Sequence, residues 1–416
     1  MIRYNYIVFC LVSILFIFGT ETVYAQSDST TKDSTNVLII DSNRDNYQVL
    51  AVFSANYSST NLSNEFMQKL LFGGEITERL KELAIDKTNN RNRFGLEVNY
   101  EGQFVDMTDT LIKKLPNYHY YIGFGSYNNI SASYTRDLFS TIFYGNKQFE
   151  DQTAELGRSN FTSYKFEKLT IGLMKKDWSQ SFGLSLIIGD RFNSFNFRQA
   201  DLYTAPEGTE LNMQYNGKIR LSDNNSRNFM SFNGAGIGLD YSRLLLNKKY
   251  TFSVTNFGLI FWARNTRFSN TEINYDFDGI EIDNVFQTDN DEIVTKAEAI
   301  LPELFDRNFV SMLPTIIRFD KNFDNSIQFQ SIYGVRYKFF SNYLPSVYGG
   351  GSFQINKSLR IQGSLAWGGY AGLRAGVGAY YSYKKFKAGI ESQNITGSFL
   401  KSGNGNSIGG YAFYTF

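Results

Sequence analysis

Between Phe94 and Phe104 the chain changes character at every step: Phe94, Leu96, Val98, Tyr100 and Phe104 alternate with Gly95, Glu97, Asn99, Glu101 and Gln103. Successive side chains point to opposite faces only in a β-strand, so this segment places one face in an apolar medium and the other in a polar one. The pattern recurs. Ile327, Phe329, Tyr333, Val335, Tyr337 and Phe339 oppose Gln328, Gln330, Arg336 and Lys338. Leu359, Ile361, Leu365 and Trp367 oppose Arg360, Gln362 and Ser364, and Leu373 to Tyr381 alternate with Gly372, Arg374, Gly376 and Gly378.

Strands of a soluble sandwich also alternate, but they usually run about 5–6 residues. The alternating segments here run about 10–14 residues, the length that crosses a bilayer when tilted. Composition agrees: 17% of the 416 residues are aromatic, with 35 Gly against 5 Pro, while the mean hydropathy is only −0.29. High aromatic content without long apolar runs is what strands with one wet and one lipid face produce. The fold expected is all-β: an antiparallel transmembrane β-barrel of about 14–16 strands, with a short helical segment near its N-terminus.

The first residues read as an export signal. Arg3 precedes an apolar run from Ile7 to Phe18, and Val23 and Ala25 supply small residues for cleavage before Gln26. That run of about 12 residues is short of the roughly 20 a spanning helix needs. Residues 1–25 are therefore expected to be a signal peptide, 26–47 a flexible polar lead, 48–91 a strand with a helical segment, and 92–416 the barrel. Leu62, Phe66, Leu70, Ile76, Leu80 and Leu83 keep helical spacing, broken at Gly73-Gly74. The expected location is the outer membrane of a Gram-negative bacterium, in contact with its lipid and inserted by barrel-assembly machinery.

Segmenting by alternation gives about sixteen strands: 93–106, 118–126, 129–144, 162–174, 180–190, 195–204, 209–221, 232–245, 249–264, 310–320, 326–340, 346–355, 359–367, 371–383, 385–395 and 407–416. Fourteen fits as well, since one merged or split segment changes the count. In the sixteen-strand reading, connections alternate between tight ones (126–129, 175–179, 205–208, 246–249, 321–325, 356–358) and a series holding every long one. Short turns belong to the periplasmic side and long loops to the outside. The chain stops on GGYAFYTF, where Ile408, Gly410, Ala412, Tyr414 and Phe416 share one face. A last strand closing against the first, its terminus in the periplasm, would account for that ending.

Chemistry is scarce. Cys10, the only cysteine, lies in the signal, which excludes disulfides and Cys-based sites from the mature chain. The single histidine, His119, sits among Tyr118, Tyr120 and Tyr121, as in an aromatic girdle, so a His-based triad and a zinc or iron site are not expected. No cofactor and no enzymatic activity are expected. Lys and Arg number 41 against 40 Asp and Glu, which offers nucleic acid no attraction. What remains is the wet face of the strands: Glu97, Asn99, Glu101, Arg336, Arg360 and Arg374 are candidates to line the lumen, with Asp240 and Arg264 on the same reading. Segment 265–309 is the largest external loop and is strongly acidic. Asp291, Ile293, Ile300 and Phe305 lie in a stretch at helical spacing that would form a lid over the barrel mouth.

Several segments are distinctive: Asp137 to Phe149 (DLFSTIFYGNKQF), Tyr164 to Gly172 (YKFEKLTIG), Asn256 to Trp262 (NFGLIFW) and Leu313-Pro314-Thr315. Together they resemble a family of Bacteroidota outer-membrane barrels whose domain is of unknown function. More loosely, the chain is similar to long-chain fatty-acid porins and to barrel partners of the type IX secretion system. The resemblance implies fold and location and no substrate. Two functions fit: a pore or transporter for a small solute, apolar solutes included, or a non-conducting structural or docking barrel that binds a partner or secreted cargo through its external loops.

Overall fold

The computed structural model describes residues 46–108, 115–222, 231–277, 303–322, 327–400 and 402–416. The expected signal peptide, nearly all of the lead, and the expected lid residues Asp291, Ile293 and Ile300 lie outside the described residues.

The first strands are β1 (Tyr47–Ser59), β2 (Asn92–Asp106), β3 (Tyr118–Tyr134), β4 (Gln152–Glu155), β5 (Ser159–Lys175) and β6 (Gln180–Thr204). They are followed by β7 (Leu211–Ser222), β8 (Gly234–Leu245), β9 (Tyr250–Trp262), β10 (Thr266–Phe277), β11 (Phe305–Asp306) and β12 (Phe309–Met312). The last are β13 (Ile316–Lys321), β14 (Phe329–Lys338), β15 (Leu344–Gln354), β16 (Leu359–Gly369), β17 (Arg374–Tyr383), β18 (Phe386–Ser392) and β19 (Gly405–Thr415). Every pairing between named strands is antiparallel, and β19 pairs with β1 along its length, from Gln48↔Thr415 to Ser58↔Gly405.

That pairing closes a barrel of fourteen strands. The circuit runs β1, β2, β3, β5, β6, β8, β9, then β12 and β13 as one interrupted strand, then β14 to β19. The alternation expected from sequence is visible in exposure. Outward residues such as Leu186 (65% exposed) and Trp367 (64%) form an apolar band around the wall. Their inward neighbours are buried. No helix among the described residues is long and apolar enough to cross a membrane.

The sixteen-strand segmentation differs from this in four places. Residues 118–134 are one strand, because Tyr127, Asn128 and Asn129 are paired on both sides, with Asn99 to Glu97 and with Phe166 to Tyr164. Ladder pairing there outweighs the turn preference of Asn-Asn. Residues 136–144 form a helix instead of continuing a strand, since Thr135 caps it by accepting the Leu138 N–H and Leu138, Phe139, Ile142 and Phe143 keep helical spacing. Residues 180–204 are a single strand that passes a β-bulge at Asp190. Its outer half leaves the wall and pairs with β7, which pairs with β10, so 209–221 belongs to a sheet projecting beyond the barrel. Finally, β1 is a wall strand, so the barrel begins at Tyr47 and not at residue 92.

These changes also correct three connections. The 126–129 turn does not exist, and 205–208 lies at the tip of the projecting hairpin. The described residues 107–108 and 115–117, which the sequence reading placed in an external loop, lie at the end that carries Phe416. That end otherwise holds tight turns at 176–179, 246–249, 355–358 and 384–385, while the far end holds the long connections. Above Phe124, Leu169 and Leu186 the outer face turns polar at Ser126, Lys165 and Asp190, which marks the upper limit of the apolar band there.

Three helices form the far-end layer: α1 (Asn64–Phe72), α2 (Glu78–Asp86) and α3 (Arg136–Tyr144). Gly73 and Gly74, at φ +83° and +138°, make the break between the first two. The layer packs on the outside of the wall, where Phe66, Met67, Leu80 and Phe139 meet Tyr57, Leu96, Tyr134 and Phe161. Phe305, expected on a helical lid, instead pairs with Phe268 in a short strand.

Candidate functional site: an occluded lumen

Small barrels of about eight strands are filled by side chains, and those of sixteen or more leave a water channel. Fourteen strands enclose more space than ordinary side chains fill, so the lumen's contents must come from long residues and inward turns. The structure supplies both.

At the far end, Lys338 donates to Glu97 Oε1 at 2.7 Å and to Asn129 Oδ1 at 3.1 Å. Lys338 is on β14 and Glu97 on β2, seven places apart in the ring of fourteen, so this pair spans the barrel. Arg336 stands 3.8 Å from the other Glu97 oxygen. The turn after β14 folds inward, and Asn342 donates to Ser131 at 3.3 Å and to Asn160 at 3.2 Å. The turn after β16 does the same. A Cβ on Gly95 would lie 2.1 Å from the Tyr370 ring, so only glycine on β2 lets that ring seat there. Together these groups form a polar strap under the far mouth. Glu97 and Lys338 are 1% and 2% exposed.

At the opposite end, Leu50, Val52, Val105, Tyr121, Met174, Trp178 and Phe413 form an apolar plug. Trp178 reaches it from the tight β5–β6 turn, where its φ of +59° helps turn the chain. His119 faces inward with its ring 5.9 Å from Trp178, so it belongs to the edge of this plug and not to an outer girdle.

Between the two, one side of the lumen is apolar: Tyr164, Phe166, Phe192, Ile260, Trp262, Phe309 and Leu313 pack together on the inner face of β5, β6, β9 and β12. Two of the distinctive sequence segments meet there. Asn256, at φ +56°, bulges β9 and donates its N–H to Asp240 at 2.8 Å. Lys168 donates to Asn256 Oδ1 at 2.7 Å and forms a 3.0 Å ion pair with Asp240. Thr315 donates to the Asn256 carbonyl at 3.0 Å, and the Leu313 N–H donates to Gly258 O at 2.9 Å. The segments NFGLIFW and Leu313-Pro314-Thr315 are thus the two sides of one wall irregularity.

The other side of the lumen is polar. A cavity of about 80 Å³ is lined by Arg318, Arg336, Tyr343, Ser346, Tyr348, Gln362, Ser364, Arg374 and Glu391 among others. Arg374 donates to Gly368 O at 2.9 Å, Ser346 Oγ at 2.8 Å and the Tyr343 hydroxyl at 3.4 Å. Burial alone would raise the Tyr343 phenol, but Arg336 and Arg374 beside it outweigh that and hold it below the ordinary tyrosine value.

Of the residues singled out from sequence, Glu97, Asn99, Arg336, Arg360 and Arg374 are all buried against the interior, and Glu101 lies on the same inward face of β2. Arg336 and Arg374 share the cavity, Glu97 belongs to the strap, and Arg360 lies lower, donating to Ser352 at 2.7 Å. Asp240 faces in, as expected. Arg264 does not: it sits beyond the end of β9 with its guanidinium 5.7 Å from the Phe232 ring. The sequence reading missed Arg318, Tyr343 and Glu391. Arg318 carries the same signal as Arg336, a charge between apolar neighbours, whereas Glu391 has an apolar neighbour only on one side, Ile390, and Tyr343 lies in a turn and carries no such signal. Among the described residues no cluster of three metal-ligating side chains exists.

No curated protein matches this chain. Among solved structures, the toluene transporter TodX of Pseudomonas putida is similar at 8% identity and a TM-score of 0.34, covering 96% of this chain and 98% of that one. A FadL homologue of Pseudomonas aeruginosa is similar at 11% identity and a TM-score of 0.40, with 96% and 98% covered. The translocator domain of the autotransporter NalP from Neisseria meningitidis gives 9% identity and a TM-score of 0.28, with 95% and 100% covered. A family of unknown function, DUF5723, matches residues 43–390, and the chain belongs to it.

Proposed function

We propose that this protein is an outer-membrane transporter whose lumen is closed at rest and opens to pass a small solute. The reading rests on one observation: buried charged groups, among them Glu97, Lys338, Arg336 and Arg374, occupy the interior where apolar residues would serve a structural barrel better. Replacing buried ion pairs by apolar side chains is often neutral or stabilising, so a purely structural lumen has no need of them. The apolar outer band and the short-turn and long-loop ends fit insertion in an outer membrane with Phe416 on the periplasmic side. The strap and plug then act as two closures in series, one at each mouth. On this reading the described strand β10, with the sheet it joins, is an external element at the far end.

Solute uptake into proteoliposomes tests this. Wild-type protein should pass small solutes slowly, and Lys338→Ala combined with Asn342→Ala should speed uptake. Equal, negligible uptake by both proteins would overturn the proposal. It would favour the second reading, a docking barrel, which the projecting sheet of β6, β7 and β10 supports. Among the described residues the outer edge of β10 is paired only at Arg267 and Phe268, leaving backbone groups available to an added strand.

A further inference from the structure

We propose that the projecting sheet, on the face it turns to the far mouth, binds a small anion carrying two or more carboxylate or phosphate groups, on Arg198, Lys218, Arg220 and Arg307. The inference deepens the transport reading, on which it rests for the ligand's onward path, by naming a class of solute.

The placement follows from register. Between β6 and β7, Ser194 pairs with Arg220 and Asn196 with Lys218, on the face that Phe192 presents to the lumen. The Arg220 guanidinium lies 5.2 Å from the centre of the Phe192 ring and 5.9 Å from that of Phe309, both members of the luminal apolar cluster. It also donates to the Val310 carbonyl at 3.5 Å. This face of the sheet therefore continues the inner surface of the wall, and its ligand comes from solution and not from the lipid around the outer band. Lys218 Nζ and the Arg307 guanidinium share the Phe268 ring, at 5.3 and 5.2 Å from its centre. Arg198, the extra residue of a bulge in β6, is exposed.

These four cations act on one another and on no acid. Burial, and then repulsion by Arg220, Arg198 and Arg307, hold the Lys218 ammonium below the ordinary lysine value, and no carboxylate is among the groups that act on it. Among the described residues, the side chains of Arg198, Lys218 and Arg307 form no ion pair and no hydrogen bond. The carboxylates on the same face, Asp201, Glu272 and Asp276, lie farther out, at the levels of Gln214, Asn216 and Asn212. Like charges set side by side on one sheet face are destabilising, and an arriving anion relieves that repulsion. Its class follows from the spacing. Lys218 and Arg220 are two residues apart on one strand, about 7 Å, with Arg198 on the β6 side of them and Arg307 on the β10 side. A guanidinium fork matches two oxygens of one carboxylate or phosphate, and a second anionic group on the same molecule reaches the ammonium. A single monovalent group leaves most of the cluster unmatched.

The test is equilibrium binding to the full chain folded in detergent, at low ionic strength, with pyrophosphate and succinate as the probes and acetate as the monovalent comparison. Saturable binding of pyrophosphate or succinate is expected, tighter than that of acetate and weakening as sodium chloride is added. The tighter of the two assigns the anionic group as phosphate or carboxylate. Lys218→Gln and Arg307→Gln each remove one surface charge and should each weaken binding roughly three- to tenfold. Lys218→Glu, which sets a negative charge among the three arginines, should abolish it. Lys357→Gln, in the 355–358 turn at the Phe416 end, should leave it unchanged. Should a variant fail to fold, the wild type's preference for the multivalent probes over acetate and its salt dependence still decide. The inference is overturned if neither probe binds at millimolar concentration, if acetate binds as tightly as both, or if the Lys218 and Arg307 variants bind as well as wild type. A protein that passes solutes but binds neither probe also overturns it, and leaves the transport reading standing. A protein that binds a probe but passes nothing keeps the site and removes transport.

Discussion

Removing the negative end of the luminal strap, by Glu97→Gln, isolates the strongest cross-barrel interaction. At 2.7 Å and an effective dielectric of about 20, the attraction between Glu97 and Lys338 is roughly 6 kcal/mol. Desolvating both ions takes back most of that, so the pair's net contribution is small. The variant, however, takes away the carboxylate that Lys338 and Arg336 share, and removing one partner of such a buried pair costs about 3–5 kcal/mol. The double variant Glu97→Gln with Lys338→Met removes both charges and should recover most of the loss, so the two changes are strongly non-additive. Guanidinium unfolding of protein in lipid vesicles, followed by tryptophan fluorescence, gives each value by linear extrapolation. A single variant costing under about 1 kcal/mol, additive with the second, is the behaviour of exposed pairs. It would mean that water fills the far mouth and that no strap exists.

Other consequences are open to the same assay. Trp178→Ala empties the plug at the Phe416 end and should cost about 3–5 kcal/mol; a neutral result would place Trp178 outside the lumen. Gly95→Val pushes a side chain into the Tyr370 ring and should cost about 1–3 kcal/mol, with partial rescue by Tyr370→Ala; no rescue would disprove the cross-lumen contact. The lowered Tyr343 phenol has a definite sign in pH. An acid whose folded value lies below its unfolded one stabilises above the unfolded value and loses that contribution as pH falls through the folded one. Between neutral pH and about pH 10, stability relative to Tyr343→Phe should therefore rise; a falling difference would show that the arginines do not govern this group.

Much of the wall was legible because period-two alternation needs only local sequence. Glu97 and Arg336 could be assigned inward from their neighbours alone, and both are buried. The strand count was harder, since the breaks read at 126–129 and after residue 190 are, respectively, a continuous paired strand and a strand running on past a bulge, which only partners far along the chain decide. Arg136 to Tyr144 was misread because Phe and Ile suit strands, whereas the Thr135 cap and the spacing of Leu138, Phe139, Ile142 and Phe143 decide for a helix. What filled the lumen was not legible at all. That Lys338 meets Glu97, or that Tyr370 seats on Gly95, depends on which strands stand opposite in the closed ring. Tyr343 and Trp178 lie in turns, where alternation says nothing about which side chain folds inward.

Conductance of the full chain in planar bilayers, beside that of Lys338→Ala combined with Asn342→Ala, tests most directly whether the lumen is a closed passage. Wild type should be silent at low voltage, and the strap variant should open in discrete steps. A large steady conductance of the wild type would contradict the occluded lumen, and silence of both proteins would contradict the passage.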